Sequence, residues 1–219
     1  MDDLEFGSRD KRGNWRPNAP LRVGPLLDTP WSLARILKWM PGYLLPWNAL
    51  FFALATVFWL WLTPSRETLQ TFELGWISFL LLRNTSLILI FFGVLELRLY
   101  IKRRQGNRFK YNARFPADHP SDVFWFRNQG IDNALRTFLS GLPIWTAYEV
   151  VLLWAWANNI GPWGAWSSNP VWLAALALLL PLLHEAHFYF VHRLIHMPRL
   201  YKWVHSVHHN SINPSPWSS

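Results

Sequence analysis

The sequence predicts an all-α integral membrane protein with about four membrane-spanning helices and further helices at the membrane surface. Three observations predict this class. Hydrophobic residues make up 51% of the 219-residue chain. They are grouped into long runs and are not spaced as in amphipathic helices. Many of the 16 tryptophans lie near the ends of these runs, as in the aromatic belts of membrane helices.

Cysteine is absent, which excludes disulfides and thiolate ligands.

Four apolar runs are long enough to cross a bilayer, which needs about 20 residues. They cover residues 44–62, 74–101, 138–160 and 171–195. Residues 26–43 and 122–137 mix apolar and basic side chains, which predicts interfacial amphipathic helices. Arg83 and Glu96 lie inside the second run, where charge is costly. We therefore expect them to pair between helices or to snorkel, in preference to a catalytic role.

The distribution of lysine and arginine predicts the domain organisation and the orientation. Residues 1–43 form a basic N-terminal segment, and residues 44–170 hold the first three spans with a basic connection at 102–137. The positive-inside rule places both basic stretches in the cytoplasm. Residues 171–219 hold the fourth span and the histidine-rich tail. An even number of spans returns this tail, with Arg193, Arg199 and Lys202, to the cytoplasmic face of a bacterial inner membrane or of the endoplasmic reticulum. The net charge of +8 fits a membrane surface, and no nucleic-acid partner is expected.

Seven of the eight histidines fall near the C-terminal end, after the start of the fourth apolar run. Histidine is the commonest metal ligand, and His192 and His196 lie one helical turn apart, so that both can bind one ion. The same helical face carries Glu185 and Tyr189, and a carboxylate there can ligate a metal or orient an imidazole. His184, at the edge of this face, fits either an outer ligand or a hydrogen-bonded core residue. His187 points away and is expected to be structural or to face the lipid interface.

A second set of histidines follows a predicted helix break. Pro198 cannot continue the fourth helix, and a new helix is expected to begin near Arg199. On that helix His205, His208 and His209 lie within about a third of a turn, and Tyr201 is on the same side. The two sets predict that five histidines converge on one metal site.

The pattern His-x3-His followed by His-x2-His-His resembles the fatty acid hydroxylase and sterol desaturase superfamily, which consists of membrane enzymes with a histidine-rich di-metal centre. The first box is matched by His192 and His196, preceded by Glu185, where the family usually has Asp, and by Tyr189. The second box follows Leu-Tyr-Lys and is matched by His205, His208 and His209. The family has a third His-x2-His-His box, which this chain does not reach. We therefore expect an N-terminal portion of a longer enzyme that resembles sterol C5-desaturases and is inactive by itself.

For the complete enzyme, the resemblance implies oxygen-dependent hydroxylation or desaturation of a C–H bond in a membrane lipid, either a sterol or a fatty acyl chain. It implies a non-haem di-iron cofactor held by the five histidines, with zinc as a possible substitute, and no catalytic residue beyond the metal site. Because the sequence has no Gly-rich dinucleotide motif, electrons are expected from an external donor of the cytochrome b5 or ferredoxin type.

Two other classes stay open on the sequence. A membrane protein that binds or transports metal ions also uses histidine, but its ligands would be expected within several spans, and His184 and Glu185 are the candidates near the bilayer. A bis-histidine haem electron carrier would place histidine pairs at the middle of different helices. A Soret band in the visible absorption spectrum of the purified protein would support the haem hypothesis.

Overall fold

Four long helices dominate the computed structural model, which describes residues 2–20, 23–116, 119–161 and 163–218. In this described part the strands are limited to one short hairpin, which confirms the predicted all-α class. Four helices are long and apolar enough to cross a membrane: α1 (Leu33–Trp61), α2 (Leu74–Ile101), α3 (Gln129–Ala157) and α4 (Pro170–Ile195). The chain divides into two compact units, Met1–Pro64 with Asn107–Ala113, and Ser65–Gly106 with Arg114–Ser219.

A small polar fold precedes α1 in the first unit. Strands β1 (Gly7–Arg9) and β2 (Trp15–Pro17) pair antiparallel. Buried Asp3 accepts hydrogen bonds from the Phe109 N–H at 2.9 Å and from the Arg9 guanidinium at 2.5 Å. A side chain at Gly7 would collide with the Trp15 indole, since a Cβ there would lie 2.1 Å from the ring. The hairpin therefore packs around one ion pair and one aromatic ring.

The first span is divided by a break in helix α1. Leu45 has extended backbone angles, φ −111° and ψ 144°, between the helical segments Leu33–Tyr43 and Ala49–Trp61. The residue before a proline is biased away from the helical region, and Pro46 follows Leu45 directly. The amphipathic helix expected within residues 26–43 is therefore present, but shorter, as the first segment of α1.

The second and fourth spans agree with the sequence prediction within one residue, whereas the third starts earlier. Residues 122–137 were expected to form a separate interfacial helix. Instead, α3 begins at Gln129, where the Asn128 side chain caps it by accepting from the Ile131 N–H at 3.0 Å. The helix continues from there into the span. The separate-helix prediction is wrong because the helix continues through a π-helical turn at Thr137–Gly141 into the segment Leu142–Ala157, in spite of Pro143.

The packed core of the second unit lies between α2 and α3. It is a small cluster of buried residues: Leu69, Trp76, Leu80, Val150 and Ala157. Arg66 closes one end by donating to the Ala157 carbonyl at 3.2 Å and to Asn159 Oδ1 at 2.6 Å. Most other apolar side chains on the helices are exposed, as expected where lipid replaces a protein core.

A polar network also joins α2 to α3 at membrane depth. Arg83, whose side chain is 6% exposed, pairs with Glu149. Asn84 accepts from Arg83 at 2.9 Å and donates to Glu149 Oε2 at 2.8 Å and to Thr146 at 3.2 Å. The expected interhelical pairing of Arg83 is therefore present. Buried Glu96 instead faces Ser215 and the backbone N–H of Trp217, so it also points into protein.

Candidate metal centre

The first histidine pair stands at the C-terminal end of α4. His192 Nε2 and His196 Nε2 lie 3.1 Å apart. The helix ends just beyond them because Met197 precedes Pro198 and has extended backbone angles, φ −61° and ψ 138°. The break lets the chain turn back over the pair.

The returning chain brings a third imidazole to this pair. A helical turn at Pro198–Leu200 continues as a π-helical turn at Tyr201–His205. The ring centroid of His205 lies 4.8 Å from that of His192 and 4.7 Å from that of His196. One nitrogen from each of the three rings lies within 4.8 Å of the other two. Three imidazoles thus meet between two helical segments.

His208 and His209 extend the group on the following turn. The His209 ring lies 4.7 Å from His205 and 5.1 Å from His196. The His208 ring stacks on His205 at 5.0 Å with an interplanar angle of 22°. Tyr201 packs beside the group, with its ring centroid 5.5 Å from His209. The structure thus brings together the five histidines that the sequence singled out, with Tyr201 next to them.

The remaining predicted site residues lie apart from these rings. His184 and Glu185 are exposed neighbours whose nearest polar atoms are 3.4 Å apart. Glu185 lies two turns before His192, about 10 Å along the axis, and its carboxylate is next to the His184 ring. The Tyr189 hydroxyl accepts from Arg193 at 3.0 Å. His187 is exposed, and neither His184 nor Glu185 belongs to the three-imidazole group.

The donor set fits a transition metal. Imidazole nitrogens suit zinc, copper, iron and nickel, whereas calcium and magnesium prefer oxygen. The 3.1 Å between the Nε2 atoms of His192 and His196 is close to that between two ligands bound at about 2.0–2.1 Å to one ion. In the described part of the chain, His205 Nε2 is buried and has no hydrogen-bond partner. A bound metal ion would satisfy that nitrogen, which is otherwise costly to bury.

The electrostatics of the cluster favour neutral imidazoles at His196 and His205. Burial lowers the pKa of His205 and of His196, and the neighbouring histidines lower both pKa values further. A neutral imidazole keeps a lone pair on one ring nitrogen, which is the form that binds a metal.

Two buried amide side chains outside the predicted site residues hold the second histidine set in place. Asn133 donates to Ser218 Oγ at 2.8 Å and accepts from Ser211 Oγ at 2.9 Å. Gln129 donates to the Asn213 carbonyl at 3.0 Å. Both amides are buried at the start of α3. Their signal in the sequence is the polar face of residues 122–137, which the amphipathic pattern by itself places at the membrane surface.

Curated sterol enzymes match this chain over short stretches. A Delta(7)-sterol 5(6)-desaturase of Gibberella zeae is 41% identical over 62 residues, which are 28% of this chain and 18% of the desaturase. One of Aspergillus fumigatus is 38% identical over 48 residues, 22% of this chain and 15% of that protein. Methylsterol monooxygenase 1 of Gallus gallus is 39% identical over 51 residues, 22% of this chain and 17% of that protein. The chain resembles the fatty acid hydroxylase and sterol desaturase superfamily.

The superfamily resemblance inferred from the two histidine boxes is thereby confirmed. The matched stretches span less than a fifth of the length of each of these relatives. No family model matches the chain, and no solved structure matches it significantly. The superfamily likeness therefore rests on these short stretches.

Proposed function

We propose that this chain contributes the first two histidine boxes of a membrane-bound, oxygen-dependent lipid oxidase with a non-haem di-iron centre. The observation that carries the proposal is the convergence of five imidazoles at the end of a membrane-length helix. The names of the relatives, sterol desaturase and methylsterol monooxygenase, support a sterol as the lipid and hydroxylation or desaturation as the reaction.

Each part of the cluster has a distinct role in this proposal. His192, His196 and His205 would hold one ion, each through one imidazole nitrogen. His208 and His209 lie beside them and serve the second ion. Iron bound here would supply the redox chemistry that attack on an unactivated C–H bond requires and that zinc lacks. Five imidazoles do not fill two coordination spheres, so water or groups outside this set complete them.

The membrane position accounts for how substrate reaches the cluster. A lipid can stay in the bilayer beside α4 while its reacting carbon approaches the histidines at the end of that helix. We place this end in the cytoplasm from the distribution of lysine and arginine. The sequence has no dinucleotide-binding motif, so we propose that a separate protein of the cytochrome b5 or ferredoxin type supplies electrons.

The test is metal content, measured by plasma mass spectrometry on detergent-purified protein expressed with ample iron. We expect bound iron in the unmodified chain and a loss of most of it in His192→Ala and in His205→Ala. His187→Ala is the matched control, because His187 is an exposed histidine on the same helix, and it should keep its iron. Equal iron in all four proteins, or zinc alone in each, would overturn the proposal.

A further inference from the structure

A cavity of about 350 Å³ lies next to the histidine cluster. The start of α3 forms one wall, and the chain between Trp203 and Ser218 forms the other. Its volume is at the lower end of the range for small-molecule sites, about 300–1,000 Å³. It has room for one end of a lipid, while the remainder stays in the bilayer.

The lining of the cavity combines a cationic group, hydroxyl groups and aromatic rings. Arg136 is held in place by an ion pair from its Nε to Asp132 at 2.9 Å and by stacking over the Trp125 ring at 4.6 Å. A guanidinium has five N–H donors, and this ion pair uses the Nε group, so donors remain for an oxygen atom. Ser140 adds a hydroxyl, and Trp203 adds an apolar wall.

One wall of the cavity is part of the candidate metal centre. His208 lines the cavity, and its ring stacks on His205 at 5.0 Å. His205 in turn belongs to the group of three imidazoles. The His208 ring therefore lies between a group bound in the cavity and the three imidazoles of the candidate metal centre.

The length of α3 places the cavity near the polar surface of the membrane. The 29 residues of α3 extend about 43 Å, against a hydrocarbon core of about 30 Å. The excess is about 13 Å. Because the polar residues Gln129, Asp132, Asn133 and Arg136 stand together at the start of the helix, we place this excess there, in the headgroup region, where an amphiphile puts its polar end. Arg136, about 10 Å from the start of α3, lies on these turns, and Ser140, about 16 Å from the start, lies at the edge of the hydrocarbon core.

We infer that this cavity binds the polar end of the lipid substrate, a hydroxyl or a carboxylate, so that the oxidised carbon lies only a few bonds from that end. The inference rests on the proposed function and adds to it the part of the lipid that is oxidised. An oxygen-bearing end meets the Arg136 donors, and the carbons that follow it lie against His208. Carbons at the far end of a long chain stay in the bilayer.

The experiment is equilibrium binding of tritiated cholesterol to the detergent-purified 219-residue chain, with a variant that fills the cavity. Gly141 lines the cavity, and a Cβ built there meets nothing within 4 Å, so the side chain added in Gly141→Leu begins in open space. Gly75→Leu is the matched control, because Gly75 is equally open and lies at the start of α2. We expect Gly141→Leu to weaken binding about tenfold or more and Gly75→Leu to leave it unchanged.

Competition by unlabelled lipids tests the role of the polar end. Cholestane, which lacks the hydroxyl, should fail to displace cholesterol. Displacement by palmitate stronger than by unlabelled cholesterol would also support the site and would identify a carboxylate as its preferred group. Equal binding by Gly141→Leu and the unmodified chain, or displacement by cholestane, would overturn the inference.

A second variant covers the case in which Gly141→Leu does not fold. If Gly141→Leu does not run as a monodisperse species in gel filtration, Ser140→Leu fills the cavity from the adjacent position, with the same expectation. Sterol binding needs no metal, so a failure here is distinguishable from a failure of the metal-content test.

Discussion

Asn133 and Ser218 are joined by a buried hydrogen bond of 2.8 Å across 85 residues of sequence. The other end of the same amide accepts from Ser211 at 2.9 Å. One side chain on α3 therefore holds both ends of the segment that follows His209. Because His208 and His209 lead into this segment, α3 helps to position the second histidine set.

Asn133→Leu should loosen residues 211–218. It leaves the Ser211 and Ser218 hydroxyls without their amide partner, and an unsatisfied buried polar group costs about 1–3 kcal/mol. We expect a lower Tm in detergent and faster hydrogen exchange in residues 208–218. Asn133→Asp keeps the acceptor for Ser211, so its Tm and its exchange rates should lie between those of the unmodified chain and those of Asn133→Leu. Asn18→Leu, at an exposed asparagine, is the control; unchanged exchange in Asn133→Leu would contradict the prediction.

Zinc, a redox-silent probe of the cluster, should stabilise the protein. A ligand that binds the folded state alone adds about 2.7 kcal/mol at a concentration one hundred times its Kd. We expect Tm to rise with zinc in the unmodified chain and in His187→Ala. The rise should disappear in His205→Ala, which removes the buried imidazole of the group. An equal rise in His205→Ala would place the bound zinc elsewhere.

Breaking the ion pair between α2 and α3 should destabilise the second unit. Arg83→Met leaves the Glu149 carboxylate facing α2 without its cation, and removal of one partner from a buried pair costs about 3–5 kcal/mol. Thermal unfolding in detergent would measure the loss. The double variant Arg83→Met with Glu149→Leu should be less destabilised than the sum of the two single variants. Arg98→Met is the control on the same helix, at an exposed arginine; an equal loss there would contradict a specific role for the pair.

The N-terminal hairpin should open in acid. The Phe109 N–H and, against the opposing effect of burial, the Arg9 guanidinium hold the pKa of Asp3 below its ordinary value of 3.8. A group whose pKa is depressed by folding adds stability above its unfolded pKa, and this is lost as pH falls through the folded pKa. Hydrogen exchange of residues 3–17, corrected for intrinsic rates, should therefore accelerate below about pH 4. Asp3→Asn should abolish this pH dependence, whereas Glu5→Gln should retain it.

The sequence by itself was sufficient to predict the features that depend on the geometry of neighbouring residues. Apolar runs of about 20 residues predicted the spans. The i, i+4 spacing of His192 and His196 predicted that they share a helical face, and Pro198 predicted the end of that helix. Each of these depends on residues within a few turns of one another, so no knowledge of distant packing was needed.

The tertiary structure alone decided which distant groups meet. It pairs Arg83 with Glu149, docks the segment after His209 on Asn133, and leaves Glu185 beside His184 instead of His192. Local periodicity sets the direction in which a side chain leaves its own helix. Its partner depends on how helices separated by tens of residues pack together, and that packing also forms the cavity beside His208.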